Sequence, residues 1–245
     1  MKQSAQLFAF LFIASPVFIS CVFSNKAPIY GNYQLISQQI NIDDYDQVVL
    51  NLPAEVLYKQ YSDSTPYLQI YTDENIMNAL DVRVENHQLI IDTKKDSIIK
   101  PSKFTIYTNS HHLNQVAVTG SGKIQLKGEV NAEDFKLEIA GSGNFLADSL
   151  ICDKIAVNIT GSGNAELTGA SNYSSFTVTG SGDIHAFNYL VQELNAGITG
   201  SGSIETRVIN KLDINISGSG NLSYRGEPQS INKNIIGSGK ITSAN

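Results

Sequence analysis

The sequence contains no tryptophan, only two cysteines and few charged residues. Charged residues make up 16% of the 245 residues, and the formal net charge is −6. Because no basic excess is available to neutralise phosphate groups, we expect no nucleic-acid partner. The two cysteines, Cys21 and Cys152, are too few for a disulfide framework. The chain is long enough to bury a hydrophobic core without one.

Long hydrophobic runs are also absent. Residues 7–19 form an apolar run of 13 residues, interrupted only by a serine and a proline, whereas a membrane-spanning helix needs about 20. A short run this close to the amino terminus is typical of an export signal. A serine and Cys21 follow it and resemble a bacterial lipobox, although Phe18 stands where leucine is usual. We therefore predict a signal peptide over residues 1–20, lipidation of Cys21 and a lipid-proximal tether over residues 21–34. Ordinary signal-peptidase cleavage and a retained membrane anchor are the alternatives.

Helical periodicity is nearly absent, with residues 73–80 as the only candidate helix, and a tripeptide repeat stands out instead. Gly-Ser-Gly occurs seven times, holds 14 of the 19 glycines and recurs every 18 to 21 residues. A fixed period near 20 residues indicates a repeat architecture, and glycine supplies the positive φ that a tight corner needs. The predicted corner residues are Gly120, Gly122, Gly141, Gly143, Gly161, Gly163, Gly180, Gly182, Gly200, Gly202, Gly218, Gly220, Gly237 and Gly239.

Apolar residues flank every triplet at fixed distances. They stand two positions before and two positions after it, as Val118 and Ile124 do around the first triplet. This alternation predicts a strand on each side of the triplet with one buried face. Stacked repeats place equivalent residues in ladders about 4.8 Å apart. We therefore predict an all-β parallel β-helix, or β-solenoid, whose rungs (full turns) have about 20 residues and two or three sides.

The same pattern continues toward the amino terminus in a weaker form. Residues 48–58 align with the strands around the first triplet, with Leu-Pro-Ala at the corner, and residues 81–91 align with an Asn-His corner. We predict one β-solenoid domain over residues 35–245. Within it, residues 35–119 form wider initial rungs and residues 120–245 form the regular Gly-Ser-Gly rungs.

The residues one and three positions after each triplet are mostly polar and should point outward. Stacking would place them in two columns, in which we predict a candidate ligand face. Glu166, His185 and Glu205 fall on consecutive rungs, so the first and last lie about 10 Å apart. Such spacing suits a face that binds sugars or a cation, or the paired carboxylates of a polysaccharide-processing enzyme. A simply solvated face is the third interpretation. We predict no catalytic residue, no metal site and no cofactor. The face consists of Asn164, Glu166, Asp183, His185 and Glu205.

The triplet corners and two segments before them resemble those of a known family. Gly-Ser-Gly followed by Asn or Asp, together with the segments YDQVVL (45–50) and DVRVEN (81–86), resembles the putative auto-transporter adhesin family with the head GIN domain. The resemblance covers about residues 38–243. It implies a right-handed parallel β-solenoid on the envelope of Gram-negative bacteria related to Bacteroides, and it brings no catalytic residues.

We predict a non-enzymatic, envelope-anchored β-solenoid that contacts glycans or surface proteins and is held to the membrane by lipid. A polysaccharide-processing enzyme and a structural envelope protein without an external ligand are the alternatives. The expected location is the cell envelope, as an exported outer-membrane lipoprotein that faces the surface or the periplasm. The last rung has no polar cap, so we expect its edge either to pair with another copy or to be guarded by Lys233 and Lys240.

Overall fold

The computed structural model describes residues 27–61 and 64–245. The predicted signal peptide, the lipidation site Cys21 and part of the tether lie outside these residues. Helix is confined to α1 (Glu74–Met77) and a 3₁₀ turn (Lys94–Asp96) within the described part of the chain. No helix among the described residues is long and apolar enough to cross a membrane.

Strands make up most of the described chain. They are β1 (Ile29–Tyr30), β2 (Leu35–Asn41), β3 (Gln47–Leu50), β4 (Glu55–Gln60), β5 (Tyr67–Asp73), β6 (Leu80–Glu85), β7 (Gln88–Thr93), β8 (Ile99–Lys100), β9 (Phe104–Ser110), β10 (Gln115–Gly120), β11 (Lys123–Gly141), β12 (Asn144–Gly161), β13 (Asn164–Gly180), β14 (Asp183–Gly200), β15 (Ser203–Gly218), β16 (Asn221–Arg225), β17 (Ser230–Gly237) and β18 (Lys240–Ser243).

Each strand from β11 to β15 forms nearly a whole rung and ends at a triplet. Inward and outward residues alternate along β12, except at Asp148–Ser149 and Asp153–Lys154, where two neighbours in succession face away from the core. These two places and the triplet are the three corners of a rung. The first side is therefore residues 144–147, the second 150–152 and the third 154–161. The predicted all-β parallel solenoid is confirmed, with about six rungs and three sides to each.

The rungs stack in register, so equivalent side chains form continuous columns inside the solenoid. At two places a large side chain lies next to a small one, since Phe145 is paired with Ala165 and Phe176 with Ala196. A small neighbour leaves room for each phenylalanine ring in a close-packed core. One such column consists of residues that stand two positions before a triplet. Its first six residues are each at most 2% exposed, and they are Val118, Ile139, Ile159, Val178, Ile198 and Ile216.

Backbone hydrogen bonds continue through the triplet corners. The Ser162 amide donates to the Gly141 carbonyl in the preceding rung at 2.8 Å, and the Ser181 amide donates to Gly161 in the same way. The first glycine of these triplets has a positive φ, which is +119° at Gly161. A Cβ added to Gly161 would lie 2.5 Å from the Gly141 carbonyl oxygen. Glycine is needed there both for its φ and for the close approach of the two backbones.

The rungs nearest the amino terminus do not stack in chain order. β3 and β4 lie directly under β10 and β11, with Val48 opposite Val116 and Val56 opposite Ile124, as the alignment of residues 48–58 predicted. β7 and β9, which come later in the chain, lie one level further down and pair with β3 and β4. The β3–β4 segment is therefore inserted between two levels that follow it in sequence.

The alignment of residues 81–91 around an Asn-His corner is wrong. Asn86 and His87 both have positive φ, 51° and 61°, and form the two-residue turn of a hairpin in which β6 runs antiparallel to β7. Asparagine tolerates this conformation, and such turns favour hairpins over solenoid corners. β5 and β2 are also antiparallel to their neighbours, so only part of residues 35–119 forms parallel rungs.

These antiparallel strands and α1 close the amino-terminal end of the core. Ile76 and Met77 of α1 are buried in it. The fully buried Asp73 precedes them, and its carboxylate accepts hydrogen bonds from the Tyr33 amide and from the amide and hydroxyl of Ser102, at 2.7 to 2.8 Å. Burial raises the pKa of Asp73, but these hydrogen bonds stabilise the charged form and hold the pKa below its ordinary value.

The corner geometry predicts that a glycine-to-alanine substitution lowers the free energy of unfolding by different amounts at two triplets. Gly161→Ala places a Cβ against backbone, whereas Gly120→Ala, at φ +91°, finds nothing within 4 Å. We expect Gly120→Ala to lose about 1–2 kcal/mol of unfolding free energy from the positive φ alone. Gly161→Ala should lose about 2 kcal/mol more from the overlap. Denaturant unfolding measures both, and equal losses would contradict the stacked-corner arrangement.

Because of the Asp73 carboxylate, we expect the free energy of unfolding to depend on pH. Asp73→Asn leaves donors without a charged acceptor, so we expect a loss of about 2 kcal/mol or more at pH 7. Because the folded-state pKa is lowered, the stabilisation is present above the unfolded pKa of about 3.9 and is lost as pH falls below it. The difference between wild type and variant should therefore shrink at pH 3. Asp43→Asn, at an exposed aspartate, is the control and should change little at either pH.

Candidate functional site

The structure places the candidate ligand face on the first side of three consecutive rungs. Asn164, Asp183 and Ser203 are register partners in β13, β14 and β15, and Glu166, His185 and Glu205 form the next outward column. The two columns are therefore neighbours on one surface. Parallel, in-register stacking accounts for this placement, because residues at equal distance from the triplet fall one above another.

The side chains of this face bind mainly to each other and to backbone. His185 Nδ1 lies 2.9 Å from Glu205 Oε2, and the Ser203 amide donates to Asp183 Oδ1 at 2.9 Å. Asn164 Nδ2 donates to Asn144 Oδ1 at 3.2 Å, which links Asn164 to the equivalent residue in the preceding rung. The face is thus an ordered but shallow polar surface.

Exposure limits the chemistry that this face supports. The His185 side chain is 50% exposed and that of Glu205 is 36% exposed, and Glu166 is also exposed. Acid–base catalysis depends on groups whose pKa is tuned by burial or by a close charge in a cleft. Solvated side chains on a flat sheet lack that environment. Among the described residues, no three histidine, cysteine or acidic side chains are grouped so as to hold a metal ion.

A second surface, which the sequence did not indicate, lies at the corner between the second and third sides. Its cavity has a volume of about 520 Å³ and crosses five levels of the stack. We call it the Tyr173 groove. Its lining residues are Asp46, Gln47, Asn114, Gln115, Asp134, Phe135, Lys136, Lys154, Ile155, Ala156, Tyr173, Ser174 and Ser175. A neighbouring hollow of about 690 Å³ shares Asn114 and Asp134 and includes Ile151.

The shape of the Tyr173 groove follows from one outward column. Lys136, Ala156 and Ser175 are register partners at the start of the third side, so a long side chain is followed by two short ones. The short side chains leave a hollow, and Tyr173 stands beside it with 51% of its surface exposed. A column of changing side-chain length is the signal for this groove, and it becomes visible only once the register is known.

Charges around the Tyr173 groove are paired. Lys136 Nζ lies 2.9 Å from Glu138 Oε1, and Lys154 Nζ lies 3.5 Å from Asp134 Oδ1. Asp46 Oδ1 is buried and has no hydrogen-bond partner within the described part of the chain. The groove therefore has an apolar floor, amide side chains on its walls and balanced charges.

Cys152 is buried and is not a nucleophile candidate. Its Sγ lies 3.2 Å from the Tyr189 hydroxyl. Burial raises the pKa of the Cys152 thiol, so the neutral thiol prevails at neutral pH and the reactive thiolate is disfavoured.

The last level of the stack, β17 and β18, leaves part of the core open. Ile235 is 40% exposed, although its register partner Ile216 is buried. Lys233 is paired with the buried Ile214, so its side chain lies over the core, with Nζ 5.8 Å from the centre of the Tyr224 ring. Lys240 is paired with the exposed Asn221 and belongs to an outward column. An inward charge on an edge strand disfavours pairing with another sheet.

The family comparison identifies the relatives of this chain. The family described as "Putative auto-transporter adhesin, head GIN domain" matches residues 44–228. The chain belongs to this adhesin family. The resemblance found in the sequence is thereby confirmed, and the match spans β3 to β16, including the candidate ligand face and the Tyr173 groove.

Solved structures of similar proteins agree with this assignment. A "putative adhesin" from Bacteroides fragilis has a TM-score of 0.84 and 25% identity, covering 88% of this chain and 99% of its own. A "putative lipid binding protein" from Parabacteroides distasonis has a TM-score of 0.77 and 29% identity, covering 89% and 100%. A "putative adhesin" from Parabacteroides merdae has a TM-score of 0.72 and 27% identity, covering 89% and 99%. No curated protein matches the chain significantly.

The open end of the stack predicts that Lys233 controls self-association. We expect the wild type to sediment as a monomer at all concentrations. Lys233→Ile should associate as concentration rises, because it extends the exposed apolar surface beside Ile235 and removes the inward charge. Lys240→Ile, on an outward column, is the control and should stay monomeric. Sedimentation velocity distinguishes them, and identical behaviour of the two variants would exclude a guarding role for Lys233.

Proposed function

We propose that this member of the adhesin family is a non-enzymatic contact protein of the bacterial envelope that binds glycans or surface proteins. A lipid on Cys21 anchors it, and the β-solenoid presents its polar exterior to a partner. The family assignment and the similar structures support the adhesin class. The lipobox-like Ser-Cys sequence after the apolar run supports the anchor.

The observation that carries the proposal is a rigid exterior on which polar groups repeat at the spacing of one rung. From β11 to β15 the backbones are paired along the three sides and through the triplet corners. Outward side chains therefore occupy fixed positions about 4.8 Å apart. Such an array costs little ordering entropy on binding, and several weak contacts add up along it.

The same exterior supports a non-enzymatic role. His185 and Glu205, the best candidates for acid–base chemistry, form a solvent-exposed contact at 2.9 Å instead of a pair with separated functions in a cleft. If the protein nevertheless processes polysaccharides, Glu166→Gln and Glu205→Gln should abolish cleavage of an anionic polysaccharide. We expect no cleavage by the wild type.

The first experiment tests where the protein lies. The full chain with a carboxyl-terminal epitope tag is expressed in a Gram-negative host related to Bacteroides, and intact cells are treated with proteinase K. We expect digestion of the tagged chain while a periplasmic control stays intact. Protection would move the chain to the periplasm and overturn a surface-contact role. Cys21→Ser is the anchoring control and should release the chain from the membrane fraction.

A further inference from the structure

We propose that the Tyr173 groove is a binding site for an uncharged saccharide. This inference rests on the proposed contact function and names the site and the ligand class for it. It assigns binding to the corner between the second and third sides, away from the candidate ligand face on the first side.

The size and exposure of the groove suit a small ligand. Its volume of about 520 Å³ falls in the range of roughly 300–1,000 Å³ that is usual for small-molecule sites. The neighbouring hollow, which shares Asn114 and Asp134, extends the same surface around the corner.

Exposed apolar side chains concentrate at this place. In the regular rungs β11 to β15, large hydrophobic residues are exposed only at Ile151, Tyr173 and Ile209. Tyr173 and Ile151 line the groove and its neighbouring hollow. Exposed apolar surface framed by polar groups marks a binding site. A tyrosine ring offers a flat apolar face, on which the C–H face of a sugar ring can stack, and a hydroxyl for a hydrogen bond.

The polar groups of the groove suit hydroxyl groups rather than charges. The amides of Gln47, Asn114 and Gln115 both donate and accept hydrogen bonds, as a sugar hydroxyl does.

The charges of the groove disfavour a charged saccharide. Lys136 is paired with Glu138, and Lys154 is paired with Asp134 and Asp153. The carboxylates beside these ammonium groups would repel an anionic sugar and reduce its attraction to either lysine. The lining has two acidic and two basic side chains, so it offers no net attraction to either sign.

The walls of the groove also disfavour an extended peptide. Peptides that bind by adding a strand need free backbone groups at a sheet edge. β11, β12 and β13 are paired on both sides along the third side, so the groove lies on a sheet face and offers side chains only.

The test is titration of the purified full chain with neutral oligosaccharides of glucose, mannose and xylose, and with an oligogalacturonate as the anionic comparison. We expect at least one neutral oligosaccharide to bind and the anionic one to bind at least ten-fold more weakly. Tyr173→Ala should weaken neutral binding at least ten-fold. Ala156→Gln, which fills the hollow from its floor and leaves Tyr173 in place, should do the same.

Tyr107→Ala is the matched control, because Tyr107 is 43% exposed on β9 and does not line the groove. It should change binding less than two-fold, and circular dichroism should show all three variants folded. Neutral binding that survives both groove variants would overturn the site while leaving the glycan-contact function standing. No neutral binding at all would overturn the inference, and protection from proteinase K would separately overturn the surface role.

Discussion

The architecture depends on the hydrogen bond that crosses the Gly-Ser-Gly corner from one rung to the next. In most folds a corner interrupts a sheet, but here the serine amide bonds to the glycine carbonyl in the preceding rung. From the second triplet onward the backbones approach so closely that a Cβ on the first glycine meets the backbone of the preceding triplet. Since the corner is shared by all levels, it holds the three sides in register and makes the interior and exterior columns continuous.

Because the columns are continuous, packing between rungs constrains the interior of the molecule, whereas its exterior can vary. Inside, a large side chain needs a small neighbour, as Phe145 has in Ala165 and Phe176 has in Ala196. Outside, no such rule applies, and side-chain length and polarity vary from level to level. The Tyr173 groove is a product of that freedom: short side chains follow a long one, and the hollow between them is edged by an aromatic ring.

The two ends of the solenoid are covered by different structures. Antiparallel strands, α1 and the Asp73 carboxylate close the amino-terminal end, whereas a single inward lysine lies across the other end. The two ends of the stack therefore differ, because only the carboxyl-terminal end presents an edge of the repeating sheet.

The sequence alone determined the repeat, the corners and the buried columns, because period and alternation are local properties that stacking converts directly into structure. It also predicted the register of β3 with β10, the placement of His185 and Glu205 on adjacent rungs, and the family. The hairpin at Asn86 and His87 is a local feature too, since a two-residue turn with positive φ at both residues favours it. Only the tertiary structure decided the number of sides, the insertion of β3–β4 between later levels and the position of the Tyr173 groove. These three features depend on which distant segments become neighbours, and that choice is set by packing between levels, which no local pattern in the chain specifies.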